Sequence, residues 1–321
     1  MWRYVASRPK RALTSIVLDP GVKDLLVDDA RDFLESRDWY ADRGIPFRRG
    51  YLLYGAPGCG KTSMIHSMAG ELGLDVYIVS LSRAGMDDAV LNELIGGLPE
   101  KCIALMEDID AAFTGTVGAR EDGKEGKADT TPHFTDALHS VSLSGLLNAL
   151  DGVGAQEGRI LFATTNHYES LDPALCRPGR MDVHVEFKLA SRYQARELFR
   201  HFYAPRHKDD CSSKLEAAVA DALAARFAEA IPEREFSMAS LQGYLMGYKV
   251  RPQDAVENVE CWVAAQRAKK QATQGKGVAQ LPVSGGTTAA DAVDKMPAER
   301  VMLDRPEGCD TPERYTHTLY H

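Results

Sequence analysis

The stretch Tyr51–Met64, YLLYGAPGCGKTSM, constrains this chain more than any other. Tyr51-Leu52-Leu53-Tyr54 has the length and apolar character of a buried strand. It runs into Gly55-Ala56-Pro57-Gly58-Cys59-Gly60-Lys61-Thr62, which satisfies G-x-x-x-x-G-K-[ST], and then into a helix-compatible stretch from Thr62 to Leu72. Glycines let successive backbone N–H groups curl round a phosphate, and the N-terminus of the following helix adds partial positive charge. Lys61 reaches the β- and γ-phosphates, and Thr62 offers a hydroxyl to Mg²⁺. With a strand before it and a helix after it, Gly55 through Ser63 reads as a nucleoside triphosphate site.

A second constellation lies downstream. Cys102-Ile-Ala-Leu-Met106 is a continuous apolar strand that ends in Glu107-Asp108-Ile109-Asp110. Two adjacent carboxylates at a strand tip, after a phosphate loop, form a Walker-B site. One acid orders Mg²⁺ and its waters, and the other polarises the water that attacks the γ-phosphate. Asp110 sits where a helix begins and reads as its cap. Further on, Arg159–Asn166 (RILFATTN) is a strand with a polar end, followed by LDPALCRPGR, in which Arg177 and Arg180 stand three apart in a turn. Arginine is the side chain that stabilises γ-phosphate charge, in cis or from a partner.

The remaining pattern divides the chain. Residues 1–15 read as a linker or a strand remnant. Residues 16–189 alternate strand and helix signals, interrupted at 114–136 by a polar, glycine- and charge-rich insertion. Residues 190–268 are helical and strandless, with helices expected at 191–204, 212–229, 237–247 and 252–268; Ser237 is placed as an N-cap and Pro252 in a first turn. Residues 269–321 lack a sustained period and read as a mostly disordered tail. The balance of 38 basic against 46 acidic residues gives a net charge of −8, which disfavours a general nucleic-acid-binding surface. Six cysteines without a C-x-x-C argue for reduced thiols rather than disulfides or zinc. No run approaches the ~18 apolar residues of a membrane span. The first eighteen residues carry Arg3, Arg8, Lys10 and Arg11 with no acid, a pattern shared with transit peptides, while the mixed polarity of Trp2–Ile16 fits a strand or linker.

Taken in order, GAPGCGKT, the carboxylate pair, TTN and LDPALCRPGR resemble the AAA ATPases over about residues 16–265. Within that group the chain resembles the Bcs-type mitochondrial chaperones, which help assemble respiratory complex III. Val17-Leu18-Asp19, YLLYGAPG, Glu107–Phe113, Ser144–Gly152 and Leu241–Leu245 carry that likeness. The resemblance implies a P-loop AAA ATPase of α/β class, with a parallel five-stranded sheet and a small C-terminal helical lid. It implies ATP and Mg²⁺, with Thr62 and Glu107 toward the metal, Asp108 toward the attacking water and Asn166 as the sensor of the γ-phosphate. Arg177 and Arg180 become arginine fingers reaching into the next subunit, which requires a homo-oligomeric ring. The implied partner is a protein client, with the Rieske iron–sulfur protein as one candidate, and the implied location is the mitochondrial inner membrane, reached through a segment not present in this chain. Two other readings stay open: an AAA remodelling ATPase of another branch, and a shortened ATP-binding paralogue that does not turn over alone. Ser82–Asp88 falls where a central-pore loop is expected and carries no aromatic residue, which fits folded rather than unfolded clients.

Overall fold

The computed structural model describes residues 2–83, 85–111, 141–152, 157–203, 212–276 and 315–320. The chain divides into two units, Met1–Val259 with Arg314–His321, and Glu260–Glu313. The first unit holds strands β1 (Arg3–Pro9), β2 (Arg48–Tyr54), β3 (Val76–Val79), β4 (Ile103–Met106), β5 (Arg159–Thr165), β6 (Val183–Glu186) and β7 (Tyr315–Tyr320). Its helices are α1 (Val22–Glu35), α2 (Arg37–Asp42), α3 (Lys61–Leu72), α4 (Asp88–Gly96), α5 (Leu143–Asp151), α6 (Arg192–Phe202), α7 (Ser212–Ala230), α8 (Met238–Met246) and α9 (Pro252–Glu257). The second unit contributes, among the described residues, the helix α10 (Val259–Lys276) from Glu260 onward.

The strands lie in the order β1-β7-β3-β4-β5-β2-β6. β3, β4, β5, β2 and β6 are mutually parallel and form the expected five-stranded sheet. These strands read as unbroken apolar runs because helices cover both faces. Alternation along each strand sorts the side chains. Tyr51, Leu53, Ile103, Leu105, Ile160 and Phe162 join one core with α1 and α3, whereas Leu52, Ala104, Met106, Leu161 and Ala163 join a second with α4 and α5.

Two further strands widen the sheet beyond the sequence expectation. β7 adds parallel to β3, and β1 pairs antiparallel with β7. The assignment of 269–321 to a disordered tail therefore does not describe 269–276, which continue α10, or 315–320, which form a strand. Six residues of alternating Tyr, Thr and Leu character suit a strand only once a neighbouring edge supplies hydrogen bonds, and the tail's own composition does not reveal that edge. The insertion at 114–136 lies outside the described residues. Among the described residues no helix is long and apolar enough to cross a membrane.

Arginines finish two helices at the sheet end away from the phosphate loop. Buried Arg159 donates to the carbonyls of Ile95 and Gly96 in the last turn of α4 and of Leu98 and Pro99 just beyond it, and Arg48 Nη1 donates to Leu150 O at 2.9 Å in the last turn of α5. These carbonyls lack intrahelical donors, so a guanidinium is a fitting cap.

A third cluster ties α1 to β2. Arg49 makes a two-point contact with Asp29 at 3.0 and 2.6 Å, and the buried Tyr51 donates its hydroxyl to Asp29 Oδ2 at 2.6 Å. Burial pushes the Asp29 carboxyl upward, but the bonds from Arg49 and Tyr51 outweigh it and leave the group below its ordinary value. The resulting stabilisation is present above the unfolded aspartate pKa of about 3.9 and is lost as pH falls through the lower folded value. Asp29→Asn should cost about 1–3 kcal/mol near neutral pH, because Arg49 and Tyr51 use both carboxylate oxygens and the amide offers one uncharged oxygen with an NH₂ facing a donor. Urea unfolding of parent and variant checks this; the two should converge in acid, and an equal gap at pH 3 and pH 7 contradicts the assignment.

Candidate active site

In a parallel sheet the loops leaving the C-terminal strand ends converge on one edge. Here β2 delivers the phosphate loop, β4 delivers Glu107 and Asp108, and β5 delivers Asn166. All three reach one cleft lined by Pro57–Ser63, Glu107, Asp108, Thr164 and Asn166. Gly60, at φ +100°, turns the chain into α3 in a conformation that L side chains avoid.

Side chains within the cleft are joined rather than merely adjacent. Lys61, only 8% exposed, donates to Gly55 O at 2.6 Å, Ala56 O at 3.2 Å and Asn166 Oδ1 at 2.8 Å. Burial pushes its ammonium below the usual lysine value, while Cys59, Asp108 and Asp110 pull the other way. Asn166 Nδ2 in turn donates to Asp108 Oδ1 at 3.1 Å. Thr62 Oγ1 donates to Glu107 Oε1 at 2.8 Å. The two neighbouring carboxylates thus face different partners: Glu107 the phosphate-loop hydroxyl, Asp108 the asparagine. Thr62 and Glu107 form a pair of hard oxygen donors of the kind that holds Mg²⁺ alongside phosphate and water, so these residues fit that ion.

Asp108 is held in a strained backbone. Its φ is +47°, and its N–H donates to Thr164 Oγ1 at 3.1 Å. The Ala111 N–H bonds back to Asp108 O, so the helix starts after Asp108. Asp110 therefore lies inside that first turn and does not cap it. Its buried carboxylate instead accepts from Thr165 Oγ1 at 2.7 Å, and Thr165 Oγ1 also accepts from the His167 N–H at 3.0 Å. Thr164 and Thr165 brace Asp108 and the start of the Asn166 turn from the strand below. The TTN triplet is the only sequence signal for them.

A second hollow adjoins the phosphate loop. Ile16, Val17, Leu18, Cys59, Leu198, Met238 and Ala239 line its apolar side, and Arg11, Ser15, Ser63 and Gln242 its polar side. The helical region closes onto the loop directly, with the Ala239 N–H donating to Gly58 O at 3.0 Å. Asp19 ties the segment before α1 to the helical region: it accepts from Ser191 Oγ and from Arg234 Nη2, both at 2.7 Å. Neither contact is visible in the sequence, since 172 and 215 residues separate the partners.

Arg177 and Arg180 do not line the cleft. Both occupy a turn outside it, and their environments differ. Arg180 donates to Asp151 Oδ2 at 2.6 Å and Ala174 O at 2.7 Å and is largely covered. Arg177 is exposed, and its guanidinium makes no hydrogen bond or ion pair among the described residues. Asp182 holds the turn, accepting from the Gly179 N–H at 2.7 Å and the Gly50 N–H at 3.0 Å. Gly50 has no alternative, because a Cβ there would lie 1.7 Å from Arg180 O. The motifs do not single out Asp182; its place two residues after Arg180 is the one clue the sequence offers.

Two family models match the chain. Residues 51–189 match the family described as "ATPase family associated with various cellular activities (AAA)", and residues 192–261 match "Mitochondrial chaperone BCS1-like, ATPase lid domain". The chain is 43% identical over 258 residues to "Probable mitochondrial chaperone BCS1-A" of Dictyostelium discoideum, covering 80% of this chain and 56% of that protein. It is 44% identical over 253 residues to "Probable mitochondrial chaperone bcs1" of Schizosaccharomyces pombe, covering 78% and 50%. It is 41% identical over 262 residues to "Mitochondrial chaperone BCS1" of Homo sapiens, covering 81% and 57%. The chain thus spans about half the length of the curated relatives it matches. The phosphate loop, the carboxylate pair and the asparagine come together in one cleft, and the models and relatives match around it: the chain belongs to the AAA ATPase family, in its BCS1-like branch.

Proposed function

We propose that this chain hydrolyses ATP to ADP and phosphate as one subunit of a homo-oligomeric ring, and that the ring acts on a protein client. The observation that carries this reading is the relay Lys61–Asn166–Asp108 beside the pair Thr62–Glu107. Lys61 and the loop amides bind the β- and γ-phosphates. Thr62 and Glu107 would hold Mg²⁺, which would supply positive charge to the phosphates. Asp108 accepts a hydrogen bond from the attacking water and polarises it, and Asn166 holds that carboxylate in place. Among the described residues that line the subunit's own cleft there is no arginine. The exposed Arg177 is suited to supply positive charge to the cleft of an adjoining copy, and Arg180 braces the turn that presents it.

The client-directed part of the proposal rests on the relatives, whose names describe mitochondrial chaperones. Those names support a chaperone role in mitochondria; the inner-membrane location, the assembly of respiratory complex III and the Rieske iron–sulfur protein as candidate client are proposed on the Bcs-type resemblance alone. The test is steady-state ATPase activity against protein concentration, alongside mass measurement in solution. Specific activity should rise as the chain assembles and should require Mg²⁺. A chain that binds ATP but does not turn over at any concentration removes the enzymatic reading.

A further inference from the structure

The segment from Asn166 to Arg177 connects the cleft to the exposed arginine. It contains two short 3₁₀ turns, Tyr168–Ser170 and Pro173–Cys176, and neither an α-helix nor a strand. Turns this short leave the position of the segment weakly specified by backbone hydrogen bonds, so side chains must set it. Tyr168 is the hub. Its ring centroid lies 4.3 Å from that of Tyr54, the residue immediately before the phosphate loop. Its hydroxyl is 3.1 Å from His184 Nδ1 on β6, and His184 Nε2 is 3.0 Å from Met181 O. Tyr168 and Cys176, the residue before Arg177, both pack against the second core. A neutral His184 with its proton on Nε2 satisfies both contacts: Nε2–H donates to Met181 O, and Nδ1 accepts from Tyr168. Neither Tyr168 nor His184 lines the nucleotide cleft.

We propose that Tyr168, held by His184, is a positioning residue that aims Arg177 at the nucleotide site of an adjoining copy. The inference rests on the shared-site reading above. Tyr168 stands between two anchors, the strand end that carries the phosphate loop and, through His184, Met181 O at the close of the turn that carries Arg177. Without its hydroxyl bond the ring still packs and Asp182 still closes the turn, but the segment that leads to Arg177 loses its side-chain bond to β6. Misplacing a catalytic group by about 1 Å can cost on the order of 10²-fold in rate. The effect falls on the copy that donates the arginine, not on the copy that binds and hydrolyses ATP.

Mixed assemblies of the full chain separate those two roles. Arg177→Ala supplies an intact cleft but no arginine, and Lys61→Ala supplies the arginine but no working cleft. Mixing the two should restore ATPase activity at least about tenfold over Arg177→Ala alone. A donor carrying both Lys61→Ala and Tyr168→Phe should restore about three- to tenfold less, and Lys61→Ala with His184→Leu should behave the same way. In the converse mixture, Tyr168→Phe combined with Arg177→Ala and paired with the Lys61→Ala donor should stay within about twofold of Arg177→Ala in that pairing. Thermal melts of every variant establish that each is folded. Equal rescue by the donors with and without Tyr168→Phe overturns the inference, as does an equal loss in the donor and converse mixtures. Failure of Lys61→Ala itself to rescue Arg177→Ala removes the shared-site reading, and this inference with it.

Discussion

Arg177→Ala should lower ATP turnover by about 10³-fold while leaving ATP affinity within a few-fold of the parent. The expectation comes from position. Arg177 is exposed, lies outside the cleft of its own chain, and makes no hydrogen bond or ion pair among the described residues. Its removal therefore costs the folded subunit little, and the effect should appear in the chemical step, where charge develops on the γ-phosphoryl oxygens. Arg180→Ala provides the contrast. That side chain is committed to Asp151 and Ala174 O, so its loss should lower the melting temperature as well as the activity. Steady-state kinetics, equilibrium binding of a fluorescent ATP analogue and thermal melts distinguish the two cases. A stable, fully active Arg177→Ala would sink the assignment of a shared site.

Asp108→Asn should reduce turnover by about 10²–10⁴-fold with nucleotide binding retained. The substitution is well matched to its site. Asparagine tolerates the left-handed backbone that Asp108 adopts at φ +47°, so the turn is preserved and only the carboxylate is lost. Glu107→Gln should act differently, because Glu107 accepts the hydrogen bond of Thr62 and lies on the metal side of the cleft. Its effect should be partly relieved by raising Mg²⁺, whereas that of Asp108→Asn should not. Single-turnover hydrolysis measured across Mg²⁺ concentrations separates the two carboxylates. If both variants respond alike to Mg²⁺, the division of roles between Glu107 and Asp108 is wrong.

The phosphate loop is legible in the residues themselves because its chemistry is local. Gly55–Thr62 act through consecutive amides, a turn and one lysine, and fixed spacing is all that such a cradle needs. The buried strands are legible for a similar reason: an unbroken apolar run at a strand's length implies helices on both faces. The helical lid follows from its 3.6-residue period and from caps such as Ser237. The contacts between distant residues are not legible in this way. Lys61 meets Asn166 across 105 residues, and Asn166 meets Asp108 across 58. Asp110, expected as a helix cap, anchors Thr165 instead, because cap and first-turn positions differ by one or two residues and only the fold decides between them. The two arginines of RPGR look equivalent in a string of letters. Partners supplied by Asp151 and Ala174 engage one and leave the other exposed. The C-terminal Tyr315–Tyr320 strand shows the same limit: a strand exists only where an edge receives it, and that edge belongs to Val76–Ile78, far earlier in the chain. Spacing along the chain determined which chemistry this protein can perform; tertiary contacts decided which side chain performs each part, since hydrogen-bond partners are set by distance in space rather than by distance in sequence.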